Sequence, residues 1–396
     1  MKINLATRLA IAAAAVACFA HASFAQTWQT VDDFQYVAGQ PAANWGLAVA
    51  PGGTLFAAGF GSDSSVDHGL DMASADGGST WSGALDDFVY GPGYSTRYDG
   101  GITADAAGNI YVSGRAYAVG VPTHLIVRRC TDGGLTWSTV DDFVPGGTST
   151  FFSRGITADA AGSVYLTANN AENNWTIRKG VGGTSFSTVD SFGPGSRALA
   201  VFAHPPAGIF AAGYGTITIK KSSSQALLVR RSLDGGATWS TVDTFQLTIG
   251  QESLALGLGA DVLGNVYVVG RANATYRGSS YKHWMVRKSS NGGGSWSTVD
   301  DYLATTGSSE ARQFAADSHG NLFVIGEDST APGNYSKWIV RENPGGTGGW
   351  QTVDSLQYVA GYESDVRAIA ADAYGHVYVG GRGMDASSFH WVVRKH

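Results

Sequence analysis

Short apolar runs alternate with turn-rich segments from residue 28 to the end of the chain, and no long helical pattern interrupts them. In one representative stretch the runs are Gly101–Ala104, Asn109–Ser113, Leu125–Arg129 and Thr136–Phe143. Asp105-Ala106-Ala107-Gly108-Asn109 separates the first two, and the same turn recurs at Asp159, Asp261, Asp317 and Asp372. An Asp there accepts a local backbone hydrogen bond, and the Gly supplies a positive φ. The unit repeats seven times, anchored on Trp28, Trp81, Trp137, Phe186, Trp239, Trp296 and Trp350, at spacings of 49 to 57 residues.

Four antiparallel strands in each of seven units predict an all-β chain: a single seven-bladed β-propeller over residues 26–396. The composition agrees, with 55 Gly, 11 Trp and only 15% charged residues. The last unit stops after its third strand, Trp391–Lys395, while the first strand, Trp28–Phe34, has no unit of its own. Pairing the two closes the ring and leaves no long sheet edge exposed.

Residues 1–25 read as a signal peptide. Lys2 and Arg8 give a basic start, Leu9 to Ala20 an apolar run too short to span a bilayer, and Ser23-Phe24-Ala25 a cleavage site before Gln26. The expected location is the periplasm or the medium. Ala15-Val16-Ala17-Cys18 loosely resembles a lipobox but lacks its usual Leu. Without Lys2 and Arg8, 24 of the 26 basic residues remain against 32 acidic ones, a net charge of −8. That balance argues against nucleic acid as the main partner. Cys130 is then the only cysteine, so no intrachain disulfide is expected. No second long apolar run predicts membrane insertion, and a monomer is expected.

Between the third and fourth runs lies a second signature. Ser74-Ala75-Asp76-Gly77-Gly78-Ser79-Thr80-Trp81 and Ser232-Leu233-Asp234-Gly235-Gly236-Ala237-Thr238-Trp239 share one pattern, and Cys130 to Trp137 and Ser289 to Trp296 are near copies. Val181–Phe186 and Pro344–Trp350 keep Gly-Gly and the aromatic but lose the Asp. In these residues the chain resembles the Asp-box (BNR repeat) propellers, a superfamily that includes sialidases, xyloglucan hydrolases, sortilin-type receptors and a photosystem II assembly factor. The resemblance implies a sialidase-like fold and a structural Asp box whose Trp fills the gap between sheets. It stops short of a sialidase: no Phe/Tyr-Arg-Ile-Pro motif is present, and the sialidase ring has six blades.

Candidate chemistry follows from aligning the units. One mouth of the central channel should carry two rings of residues. The first ring reads Trp45, Gly100, Arg154, Arg197, Leu256, Arg312 and Arg367; the second reads Phe60, Arg115, Asn169, Tyr214, Arg271, Glu327 and Arg382. Seven of fourteen positions are Arg in an acidic protein. Arg offers a rigid fork of donors suited to carboxylate, sulfate or phosphate. The alternative is a structural network in which Glu327, Glu252, Glu310, Asp99 and Asp365 neutralise the ring.

The expectation is therefore a binding protein for an anionic glycan or an acidic protein segment. A sialidase-like glycoside hydrolase is the second reading and an assembly or adhesion scaffold the third. A hydrolase would draw on Glu252, Glu310, Glu327 and Asp99, or on Tyr214 or Tyr98. No cofactor and no metal are expected. His68, His124, His283 and His390 share one repeat position on different blades, too far apart to converge, and are read as a repeated structural hydrogen bond. Val31-Asp32, Val140-Asp141, Val242-Asp243 and Val299-Asp300 are read as solvated edge positions, and Arg128, Arg178, Arg230, Arg287, Arg341 and Arg394 as blade-building. No Gly-rich turn precedes a helix pattern, which excludes a phosphate-binding loop.

Overall fold

A computed structural model describes residues 27–144, 153–169, 174–219, 222–276, 278–304, 307–330 and 335–396. The expected signal segment and Cys18 lie outside the described residues. Seven four-stranded antiparallel sheets form the seven blades of a β-propeller. Blade 1 runs from Ala42–Val49 through Leu55–Ser62 and Asp67–Ser74 to Asp86–Phe88. Blade 7 consists of Ser364–Ala371, Val377–Met384 and Phe389–Lys395, completed by Gln29–Phe34. That last strand pairs antiparallel with the chain's final strand, Phe34 opposite Trp391 and Gln29 opposite Lys395, so the ring closes as expected.

The core lies between blades. Trp175, Trp284, Trp338 and Trp391, all on third strands, are fully buried. Two of these rings have a glycine opposite: a Cβ on Gly326 would sit 2.4 Å from Trp284, and one on Gly59 2.7 Å from Trp391. The seven repeat anchors do less than expected. Trp28, Trp81, Trp137, Phe186, Trp239, Trp296 and Trp350 are only partly buried, each at the margin of one apolar cluster. The turns before them are closed by local hydrogen bonds: Asp76 accepts from the Thr80 backbone at 2.8 Å and from its hydroxyl at 2.6 Å, and Asp234 does the same with Thr238. In the copy at Cys130 the thiol takes the serine's place and accepts the Gly134 amide at 2.9 Å.

The Val-Asp positions are not solvated edges. Asp141, Asp243 and Asp300, with their equivalents Asp86, Asp190 and Asp354, each face the third-strand Arg of the next blade, while Asp32 is part-buried and faces none. Arg128–Asp86, Arg178–Asp141, Arg230–Asp190, Arg287–Asp243, Arg341–Asp300 and Arg394–Asp354 form six bidentate clamps, with N–O distances of 2.6 to 3.1 Å. Five of the Arg planes also lie 3.9 to 4.3 Å over an aromatic ring two residues beyond the Asp. Sequence spacing hid this because the partners come from neighbouring blades. The four His behave as expected of structural groups: His68, His124, His283 and His390 bond Asp87, Asp142, Asp301 and Asp33 at 2.6 to 2.9 Å.

Candidate functional site: an arginine-lined channel mouth

First strands carry a β-bulge at the channel. The register shifts between Asn44 and Gly46, Ala255 and Gly257, Ala311 and Gln313, and Val366 and Ala368. The extra residues are Trp45, Leu256, Arg312 and Arg367. A bulge re-aims one side chain without ending the strand, and here all four line the channel mouth. Blade 4 corrects the alignment by two residues. Its bulge falls between Ala198 and Ala200, so Leu199 holds the bulge position, while Arg197 pairs with Tyr214. Blade 4 has His204, followed by Pro205-Pro206, where five of the other blades have the turn Asp, which removed the landmark used for alignment.

The mouth has two lobes that share Arg154, Leu256 and Arg312. The larger, about 370 Å³, adds Arg197, Tyr214, Arg271, Lys282 and Glu310 together with the hydroxyls of Ser308, Ser309 and Ser329. The smaller, about 190 Å³, adds Trp45, Arg97, Asp99, Arg115, Arg367 and Arg382. All seven predicted Arg therefore line one mouth, with Glu327 and Tyr214. Gly100 lines the channel just below, and Phe60 stacks under Arg97 at 4.0 Å. Asn169 is buried and does not line either lobe. Tyr98 is fully buried with its hydroxyl on Asp86, away from the mouth, which removes it as a nucleophile.

Arg97 and Lys282 were missed from the sequence. Arg97 belongs to a first strand that starts at Ser95, six residues earlier than the apolar run suggests, and pairs with Arg115 across the strand. Lys282 sits far along a third strand extended to Ser279. Only strand length, which polar residues conceal, could have found either.

The acids are interleaved with the cations. Arg271 contacts Glu252 at 2.9 Å and Glu310 at 2.8 Å. Arg312 contacts Glu310 at 2.7 Å and Glu327 at 3.2 Å. Arg382 holds Asp365 at 2.5 Å and Glu363 at 3.0 Å, and Arg115 holds Asp99 at 2.8 Å. Arg367 is held more loosely, 3.8 Å from Glu327 and 3.7 Å from Asp365, and lies 5.1 Å over Trp45. Nine cationic side chains line the lobes against three acids, Asp99, Glu310 and Glu327.

The electrostatics differ from one arginine to the next: burial opposes the charge of Arg312, yet Glu327 and Glu310 win and raise it. Burial and then the fields of Arg367 and Arg312 pull Arg154 down to about 10, outweighing Asp99 and Glu310. Burial and then Arg312 likewise lower Arg367. Burial raises Asp365, but Arg367 and Arg382 win and hold it at about 2. Burial also opposes ionisation of Glu310, yet Arg312 and Arg271 keep it below the usual range. At Glu327 burial prevails over Arg367 and Arg312 and its carboxyl is raised. Burial likewise raises the Tyr214 hydroxyl. Nε of Arg312, Nε of Arg367, Nε1 of Trp45 and Oε1 of Glu327 are buried without a hydrogen bond among the described residues.

No group of His, Cys, Asp or Glu among the described residues could hold a metal ion. No helix among them is long and apolar enough to cross a membrane.

No protein-family model matches the chain, and no curated protein sequence matches it. Solved structures do match, at low identity. The chain is similar to a protein of unknown function from Dyadobacter fermentans (TM-score 0.55, 13% identity, covering 93% of this chain and 98% of that one). It is also similar to an α-L-arabinanase from Penicillium chrysogenum (TM-score 0.52, 13%, covering 93% and 97%) and to an ulvan lyase of polysaccharide lyase family PL25 (TM-score 0.56, 11%, covering 91% and 95%). Such likeness establishes the seven-bladed propeller fold, one shared with enzymes that act on glycans.

Proposed function

We propose that this chain is an exported binding protein whose Arg-lined mouth holds an anionic glycan or another acidic ligand. One observation carries the reading: nine cations against three acids line a single concave site in a protein that is acidic overall. The sign of the charge selects anions, and buried Arg forks favour carboxylate or sulfate over diffuse negative charge. Export is supported by the N-terminal segment 1–25. Calorimetric titration with sialylated, sulfated and uronate oligosaccharides at low salt tests it. Binding that weakens as salt rises is expected. No binding of any of the three, nor of an acidic peptide titrated beside them, by folded protein would overturn it.

A second reading, glycoside hydrolysis, is favoured by one grouping. Tyr214 lies in the field of Glu252, on the same lobe as Glu310. Glycan-acting enzymes with the same fold make the reading worth testing. Release of reducing ends from bound oligosaccharides, abolished by Tyr214→Phe and Glu310→Gln, would support it; a bound glycan recovered intact would rule it out.

A further inference from the structure

The two lobes differ in chemistry, and they meet at shared arginines. The larger lobe sets Arg197, Arg271 and Lys282 beside three serine hydroxyls and Glu310, a mixture of cations, neutral donors and an acceptor. A site for a bare anion needs only the cations. Hydroxyls and a carboxylate acceptor suit a ligand that carries its own hydroxyls next to its charge, as a sugar acid does. Its volume of about 370 Å³ lies within the roughly 300–1,000 Å³ of ordinary small-molecule sites.

The smaller lobe is built otherwise. Trp45 lies under Arg367 at 5.1 Å and Arg382 at 5.9 Å, so its walls are an aromatic plane and stacked guanidinium planes. Arg97 and Arg115, from paired positions of one blade, close the other side. Flat walls of this kind take the apolar face of a sugar ring while the guanidinium edges take its acidic group. Arg154 and Arg312 border both lobes and can contact charges on both sides. A ligand with a single anionic group would meet the cations of only one lobe.

We infer that the mouth accepts a linear glycan carrying acidic groups on successive sugars, one acidic sugar in each lobe with Arg154 and Arg312 between them. This rests on the anion-binding reading above and narrows it to a polyanionic chain. The acidic group can be carboxylate or sulfate ester, since Arg forks bind both. Linking two sites through one ligand makes the second contact intramolecular, so affinity should climb steeply with the second charged sugar and then level off.

The test is titration of the full chain with galacturonic acid and its dimer, trimer and tetramer, in parallel with a sulfated disaccharide and a neutral oligosaccharide of equal length. The inference expects at least a tenfold gain from monomer to dimer or trimer and no binding of the neutral chain. Lys282→Ala, in the larger lobe, and Arg97→Gln, in the smaller, should each weaken the trimer at least fivefold, while at most one of them affects the monomer. Thermal melting of both variants confirms folding. If monomer and trimer bind equally, with salt dependence, the anion reading stands and the two-lobe inference fails. If the sulfated disaccharide gains and the uronate series does not, the inference holds with sulfate as the group. If an acidic peptide binds and no glycan does, the inference falls and the anion reading survives. If no anion binds, both fall.

Discussion

Arginine and carboxylate meet in two parts of this propeller, and the two parts are built on opposite rules. Between blades, six Arg each face one Asp, fork to fork, at 2.6 to 3.1 Å. One charge cancels one charge. At the mouth, nine cations share three lining acids and four behind them, Asp67, Glu252, Glu363 and Asp365, with some contacts at 3.2 to 3.8 Å, and burial and then neighbouring Arg depress Arg154 and Arg367. A purely structural network has no reason to gather like charges that repel. The clamps show how this sequence satisfies an Arg when stability is the purpose, and the mouth departs from that pattern.

The ring itself contains a second contrast. Six blade junctions have a clamp; the seventh, where the N-terminal strand closes the ring against blade 1, has Met72 at the Arg position and Asp32 at the acid position. Burial and then Asp33 raise Asp32 to about 6. Beside Met72, in the strand Asp67–Ser74, Asp71 takes the place of an apolar residue, is fully buried, and is pushed well above the ordinary range by burial and by Asp86.

The largest expected effect comes from breaking closure. Removing residues 27–36 deletes a whole strand of blade 7 and should give insoluble protein or a melting midpoint lower by about 10 °C or more. An unchanged midpoint would contradict the closure. Next, Arg230→Met strands Asp190 in a buried site and should cost about 3–5 kcal/mol. Ligand affinity of the folded variant should not change; denaturant unfolding and titration of one preparation read both, and a selective loss of binding would erase the distinction between clamp and mouth.

The unclamped junction gives a smaller, signed effect. Asp32 has a folded-state pKa of about 6, above its unfolded value near 4. The folded protein binds the extra proton, so this contribution is complete below about pH 4 and is lost as pH rises through about 6. It should amount to about 1–3 kcal/mol, discounted for partial exposure. Melting midpoints should fall between pH 4 and 6.5 in the native chain and fall less in Asp32→Asn. Met72→Arg, which supplies the missing partner, should flatten the same slope. Identical slopes in all three would show that Asp32 is not the group.

Much of this was legible along the chain because it is local. Turn Asp and Gly residues, apolar runs and a repeat of 49 to 57 residues gave seven four-stranded blades and a closing strand. The ring of mouth Arg was legible too, since equivalent positions in a repeat share a radius. What escaped was set by pairing between distant residues. Asp141 and its equivalents read as edge positions until the next blade's Arg was seen against them. Arg197 was aligned two residues out because His204, followed by Pro205-Pro206, replaces the turn Asp. Arg97 and Lys282 lie on polar extensions of strands, where alternation of apolar residues gives no signal.

The most direct test of the comparison is Arg154→Ala, measured for stability and for binding of a uronate trimer. Arg154 borders both lobes and is depressed by burial and then by Arg367 and Arg312. Removing it relieves repulsion, so the melting midpoint should hold or rise. Affinity should fall about tenfold or more, in keeping with the roughly 1.5–3 kcal/mol of a charge-assisted hydrogen bond. A midpoint that drops as far as that of Arg230→Met, with affinity unchanged, would mean that the mouth is one more structural clamp, and the account would be wrong at its centre.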